Sequence, residues 1–446
     1  MEKMTRETTW LIAVLVAATA VMILNETIMT VALPAVMADF HIAPTQAQWL
    51  TTGFLLTMAV VIPTTGFIVQ RFSTRAVFLT ATTLFLSGTI VAATGLNFPV
   101  LLLGRVIQAS GTALVFPLLM STLMTVVPAQ RRGEMMGWIT IVIAMAPAFG
   151  PTTGGILLQF FRWNFLFWFM TPIVAALTIA GYLLVRNVGE SVKAPLDVLS
   201  VVLSALGFGG LIYALSGGGP VVGAAASVVI AVFIWRQLRR AAAGTALLDL
   251  RVFRLSTFTH CVVVVVFIMA LFLGSLTIVP IYLQQSLNAS TVVSGLAIMP
   301  NGLFQAFAAP VVGRIFDQVG IKPLVRPGLV CLVAGLGLVT LTAYLVTTPI
   351  VGILLCATGF AIVAVGVSLC MGPLMTTALA SLSPDQYPHG SAILSTLQQF
   401  AGAVGTAILI AAHSFGTTTS HGAFLAFATA TVMALSATIY GVKNLH

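Results

Sequence analysis

Long apolar stretches, interrupted by short clusters of charged, glycine or proline residues, run from end to end of this 446-residue chain. Most are long enough to cross a hydrocarbon core of about 30 Å as a helix, which takes roughly 20 residues. The interruptions predict about fourteen helices. Six lie near 9–36, 46–69, 76–94, 98–127, 134–160 and 165–186, and two near 197–215 and 220–237. Six more lie near 258–284, 291–314, 326–346, 349–381, 390–414 and 421–441. The period-two alternation of a membrane barrel is absent. The pattern therefore predicts an all-α polytopic membrane protein. It would have an N-terminal six-helix bundle (1–190), a two-helix insert with its linker (191–250) and a C-terminal six-helix bundle (251–446).

Charge orients these helices. With the N-terminus inside and the sides alternating, all 19 Lys and Arg residues fall inside except Arg162, which is outside, and Arg105, which lies within the fourth helix. Basic residues accumulate on the cytoplasmic side, so both termini are predicted there, in a multi-pass protein of the cell membrane. Composition agrees: 59% of residues are hydrophobic and 7% charged, against about a quarter charged in soluble domains. The net charge of +9 then faces anionic membrane lipids and implies no nucleic acid. The first helix follows a short polar start, MEKMTRET, without a small-residue cleavage site, and is expected to remain as a span. Cys261, Cys331, Cys356 and Cys370 lie in apolar runs without CxxC spacing and read as buried, inert thiols.

Two segments match. PTTGFIVQRFS (Pro63 to Ser73) and PVVGRIFDQVG (Pro310 to Gly320) each end the second helix of a six-helix block. They align Pro63 with Pro310, Gly66 with Gly313 and Gln70 with Asp317. Matching positions in two blocks suggest two homologous halves, as in many transporters. The two helices joined by SGGGP (Ser216 to Pro220) would be an insert of low polar content, expected at the periphery.

Several of these stretches resemble the major facilitator superfamily, and within it the fourteen-helix drug:proton antiporters. LNETIMTVALP (Leu24 to Pro34) is similar to the helix-1 signature of that subgroup. LLLGRVIQASGTA (Leu101 to Ala113) resembles the helix-4 motif, with Arg105 and Gly111 in place. APAFGPTTGG (Ala146 to Gly155) resembles the antiporter motif of helix 5, with Gly150, Pro151, Gly154 and Gly155 in register. TLQQFAGAVGTA (Thr396 to Ala407) is similar to a helix near the C-terminal end. The resemblance covers essentially the whole chain and implies export rather than import, and a monomer. It also implies a cytoplasmic latch in the repeated segments, at Gly66, Arg71, Gly313, Arg314, Asp317 and Gly320. The first copy departs from the pattern, with Gln70 for the usual aspartate and Ser73 for the usual glycine. That departure shifts the expected latch toward Asp317 and Arg314.

The candidate chemistry centres on Asn25 and Glu26, inside MILNETIMTVALP. A charge near the middle of a membrane helix costs at least about 2.5–3.5 kcal/mol, so Glu26 is expected to face protein or a water-filled cavity. Helix 1 runs outward and helix 4 inward, which puts Glu26 and Arg105 within about one helical turn of each other in depth. Two roles stay open. Glu26 binds the coupling proton, tuned by Arg105 directly or through Asn25, Gln108 or water; or the two form a permanent pair fixing their helices. Most other acidic residues fall in loops or at helix ends.

Met22, Glu26, Met29, Thr30 and Leu33 share one face of helix 1. Trp49, Gln108, Asn301, Gln305, Gln398 and Gln399 are further polar residues inside spans. An apolar pocket with few polar anchors and flexible methionines would take varied lipophilic or amphipathic, including cationic, small molecules. Core packing of the methionines and interhelical bonding of the amides are the alternatives. In helix 5, Pro151 removes a backbone bond and its small neighbours permit close contact, giving a bending or sealing surface or else a fixed kink.

No Walker A loop or HExxH is present, and the six histidines are scattered. No catalytic or metal site is expected, no enzyme activity, and no cofactor beyond protons as coupling ion. The expectation is a proton-coupled antiporter exporting hydrophobic or amphipathic compounds by alternating access. An exporter of an endogenous metabolite or lipid, and an uncoupled facilitator, are the competing readings.

Overall fold

The computed structural model describes residues 6–188, 197–241, 246–346 and 348–444, and all regular structure among them is helical. The order begins α1 (Arg6–Phe40), a short α2 (Pro44–Ala47), α3 (Trp49–Arg71), α4 (Thr74–Thr94) and α5 (Phe98–Val126). It continues with α6 (Arg132–Phe160), α7 (Phe165–Leu184), α8 (Val198–Tyr213), α9 (Pro220–Ala241) and α10 (Ser256–Ile281). Last come α11 (Thr291–Val319), α12 (Lys322–Leu345), α13 (Pro349–Ala380), α14 (Tyr387–Ser414) and α15 (Thr419–Asn444). Among the described residues, 12 helices are long and apolar enough to cross a membrane.

Local chemistry sets the helix ends. Ser73, Asn97, Asp197 and Ser290 each accept a backbone N–H in the first turn of the helix that follows, satisfying a donor the helix leaves orphaned. Gly320 ends α11 at φ +79°, a backbone region that a side chain disfavours. Prolines lie inside α1, α3, α5, α7, α10, α11, α12 and α13 without ending them. Membrane helices tolerate this because neighbouring groups re-satisfy the freed carbonyls.

The chain forms two compact units. Unit 1 comprises Met1–Pro128, Met145–Val252 and Ser383–Thr396; unit 2 comprises Ala129–Ala144, Phe253–Leu382 and Leu397–His446. Thus α6 and α14 each contribute one part to each unit.

Each unit is built around a helix pair seamed by glycine. In unit 1, a Cβ on Gly88 of α4 would fall 2.7 Å from the Gly104 carbonyl oxygen of α5, and one on Gly104 would fall 2.8 Å from that of Gly88. In unit 2, Gly335 of α12 and Gly359 of α13 face each other the same way, at 2.6 and 2.9 Å. Lipid tails are as apolar as leucine, so membrane helices associate through packing, and small residues let their backbones meet.

Candidate functional site

The tight seam between α4 and α5 carries Arg105 into the interior of unit 1, where it is 0% exposed. Its Nη1 donates to Asn25 Oδ1 and to Gln108 Oε1, both at 3.0 Å, and its Nε to the Leu50 carbonyl at 3.4 Å. The guanidinium lies over the Phe54 ring, 4.2 Å from its centroid. Gln108 donates in turn to Thr89 Oγ1 (2.8 Å), and Thr89 to the Phe85 carbonyl (2.6 Å). One cation therefore ties α1, α3, α4 and α5 together.

Glu26 follows Asn25 on α1. It is half-buried and surrounded by protein, within the electrostatic reach of Arg105. Among the described residues the two form no ion pair; the carboxamides of Asn25 and Gln108 hold the guanidinium instead. The structure thus joins Arg105, Asn25 and Gln108 directly, with Glu26 adjacent. A buried cation held by neutral acceptors leaves a neighbouring carboxylate able to take or lose a proton without breaking the network.

The other predicted site residues are dispersed. Met22 and Met29 are buried, Met29 in a core cluster with Ile28, Trp163, Phe167 and Met170. Trp49 is 39% exposed and stacks on Tyr213 of α8. In unit 2, Asn301 and Gln305 are buried on α11, and Gln305 donates to Asn301 Oδ1. Asn301 Nδ2 has no partner among the described residues. Gln398 donates to Met375 Sδ at 3.4 Å, and Gln399 is half-buried. The side chains of Thr30 and Pro151 lie outside the described residues.

Along α6, Gly150 lies against Thr27: a Cβ there would fall 2.8 Å from Thr27 Cβ. A Cβ on Gly154 would make ordinary contact with Ile28, and one on Gly155 would meet nothing. These glycines therefore border the residues just after Glu26.

The two matching segments behave differently. In unit 2 the Asp317 carboxylate accepts the backbone N–H groups of Gly133 and Glu134, both at 2.8 Å, in the first turn of α6. Anions are stabilised at helix N-termini. Glu134 pairs with Arg314 (3.1 Å) and Arg131 (3.2 Å), and Gly313 presses on the Gly133 backbone. In unit 1, Gln70 instead donates to the Asp385 carbonyl at 2.7 Å, and Gly66 packs against His389. Arg71 is exposed in the last turn of α3. Ser73, where the second copy has Gly320, caps α4.

A polar cluster within the insert and its linker went unnoticed in the sequence pattern. Gln237 of α9, 0% exposed, accepts the Leu247 and Leu248 N–H groups (2.8 and 3.1 Å) and donates to Ser200 at 2.7 Å. Asp197 binds Arg236 and Arg240, and Asp249 binds Arg251. Burial works against the charged form of Asp249, but hydrogen bonds from Arg251 outweigh it and hold the carboxyl below its usual range. A buried glutamine between helices carries no charge pattern, so only its spatial partners reveal it.

The family model described as Major Facilitator Superfamily matches residues 15–406. The chain is 34% identical to an uncharacterized MFS-type transporter, YcnB, of Bacillus subtilis, over 95% of this chain and 92% of that protein. It is 36% identical to the lincomycin resistance protein LmrB of Listeria monocytogenes, over 88% of this chain and 83% of that protein. The solved structure of the proton:xylose symporter XylE superposes with a TM-score of 0.71 at 15% identity, covering 100% of this chain and 97% of that one.

Proposed function

The chain belongs to the major facilitator superfamily, and from that premise we propose that it exports hydrophobic or amphipathic compounds in exchange for protons. It is a transporter, not an enzyme, and a multi-pass protein of the plasma membrane. A relative named for lincomycin resistance supports drug-like, lipophilic substrates. The observation carrying the reading is Arg105, a fully buried cation held by the neutral Asn25 and Gln108 with Glu26 alongside. Protonation of Glu26 removes the countercharge while the hydrogen bonds stay, so the acid loads and unloads as its surroundings change. The proton is the only coupling agent, no resident cofactor takes part, and the monomer is the working unit.

The helix count proposed is fourteen. Two helices join the twelve: α6, with 29 residues, and α8, with 16. A π-helical continuation, Ala214–Gly218, brings α8 close to the length a bilayer requires. The arginines at helix ends and in the linker support an orientation with both termini in the cytoplasm. The functional halves are then residues 1–190 and 251–446, with 191–250 between them.

The test is purified protein in liposomes with an imposed pH gradient, acidic inside, offered lincomycin or a lipophilic cation. Wild type accumulates the compound as protons leave, and Glu26→Gln falls to the level of empty liposomes. Accumulation that ignores the gradient would identify an uncoupled facilitator. Gradient-driven movement of lipids or metabolites but of no drug would point to an endogenous substrate.

A further inference from the structure

A strap of chain leads from the insert to the first turn of α14. This segment, 246–252, follows α9 and buries Leu247, Leu248 and Val252. Gln237 of α9 holds the Leu247 and Leu248 N–H groups (2.8 and 3.1 Å). The Leu247 carbonyl is left to the imidazole of His389, in the first turn of α14. On its other side His389 seats against α3, where a Cβ on Gly66 would fall 3.2 Å from its Nδ1 and 3.3 Å from its Cα. Further along α14, Ser391 donates to the Pro117 carbonyl of α5 (3.2 Å). All of these residues belong to unit 1.

His389 is a titratable group that the transport reading leaves unused. It is 8% exposed, and its Nδ1 has no hydrogen-bond partner among the described residues. A carbonyl needs a donor, so Nε2 carries the proton toward Leu247 and Nδ1 is the bare acceptor of a neutral ring. A proton on Nδ1 would create a charged, buried N–H with no acceptor, which costs more than the bare nitrogen does. The charged groups facing the ring do little to offset this. Asp249 is committed to Arg251 at 2.7 Å, and Arg251 opposes a second cation. Asp385, in the turn before α14, reaches the ring electrostatically but is exposed to water, which screens it. From α3 come Gly66 and the neutral Gln70, which donates to the Asp385 carbonyl.

We propose that His389 makes this strap sensitive to acid. The neutral ring seats segment 246–252 on α14 and α3, and the protonated ring leaves the Gly66 seat and loosens the segment. In the orientation proposed above the strap faces the cytoplasm, the side to which the proposed exchange delivers protons. Transport would then alter the cytoplasmic face of its own carrier. That consequence rests on the proposed function, whereas the loosening itself does not.

The experiment is hydrogen–deuterium exchange of the full-length protein in detergent, with neither substrate nor gradient. Protection of the amides in 246–252 is compared at about pH 7.5 and about pH 5.5, after correction for the intrinsic pH dependence of exchange. A released imidazole titrates near about 6.5. If only the released ring takes the proton, opening is favoured about tenfold more at the lower pH, and protection should fall by that factor. His389→Gln keeps a donor for the Leu247 carbonyl but cannot become charged, so its protection should be the same at both pH values. If that variant does not fold, His389→Asn, equally unable to charge, takes its place. Equal protection of wild type at both pH values would overturn the proposal. So would the same fall in the uncharged variant, or a fall of equal size throughout unit 1.

Discussion

The interior of unit 1 holds a buried charge, Arg105, and that of unit 2 a pair of buried amides, Asn301 and Gln305. In unit 1, Arg105 gathers groups from three other helices, with Glu26 beside it. In unit 2, Asn301 and Gln305 bond to each other on one helix, and the Asn301 Nδ2 is left without a partner among the described residues. The difference matters because a fixed cation tunes how tightly a neighbouring carboxyl holds its proton, whereas an unpaired donor needs an acceptor supplied by something else. A buried donor left unpaired costs about 1–3 kcal/mol. We read unit 1 as the seat of coupling and unit 2 as a place where a substrate oxygen can be recognised.

The strongest way to break this contrast is at Arg105. Arg105→Leu leaves Asn25, Gln108 and the Leu50 carbonyl without their donor and Glu26 without its cation. Thermal unfolding in detergent should show a loss of about 3–5 kcal/mol, and transport should vanish. Arg105→Lys keeps the charge but not the planar fork, so partial activity should survive; full activity would mean the fork is unimportant.

Next come the glycine contacts that both units share. Gly405 of α14 lies on the Ala270 backbone of α10, and Gly150 of α6 lies on the Thr27 side chain. Added methyls should cost about 1–3 kcal/mol, most at Gly405, less at Gly150, less again at Gly154 and nothing at Gly155. Thermal stability of the four alanine variants checks that order, and transport should fall disproportionately at Gly150, which lies against the Thr27 that follows Glu26.

A smaller effect is expected at Asn301. Asn301→Leu should weaken uptake of substrates bearing oxygen acceptors by about tenfold, roughly 1.4 kcal/mol. The number of protons exchanged per substrate should not change, and a changed ratio would erase the division between units. Smallest is the pair of matching segments. Asp317→Asn keeps one acceptor for two N–H groups and should cost about 1 kcal/mol, whereas Gln70→Ala on its exposed bond should cost less. Equal costs would remove the asymmetry between the copies.

Much of this was legible beforehand. Apolar runs of bilayer length mark the helices because lipid leaves little else for a chain to form. The depth argument brought Asn25, Glu26, Arg105 and Gln108 together, since helix rise is fixed. The Pro-Gly repeat marked two matching segments, which lie at the ends of α3 and α11. Other features were beyond such reasoning. Thr89 and Phe54 complete the Arg105 network, yet as an isolated threonine and phenylalanine in apolar runs they look like any neighbour. Met22 and Met29 share the face of Glu26 but are buried in packing, because helical periodicity gives the direction of a side chain and not what stands opposite. Trp49 pairs with Tyr213 across a separation in sequence that no local pattern spans.

Proton release on substrate binding addresses the central claim without a membrane or a gradient. Purified protein in weakly buffered detergent is mixed with lincomycin or a lipophilic cation while a pH indicator is followed, and binding is measured in parallel. Wild type should acidify the solution as the compound binds, and Glu26→Gln should bind it with no proton released. Release from Glu26→Gln equal to that of wild type would show that the proton is carried elsewhere.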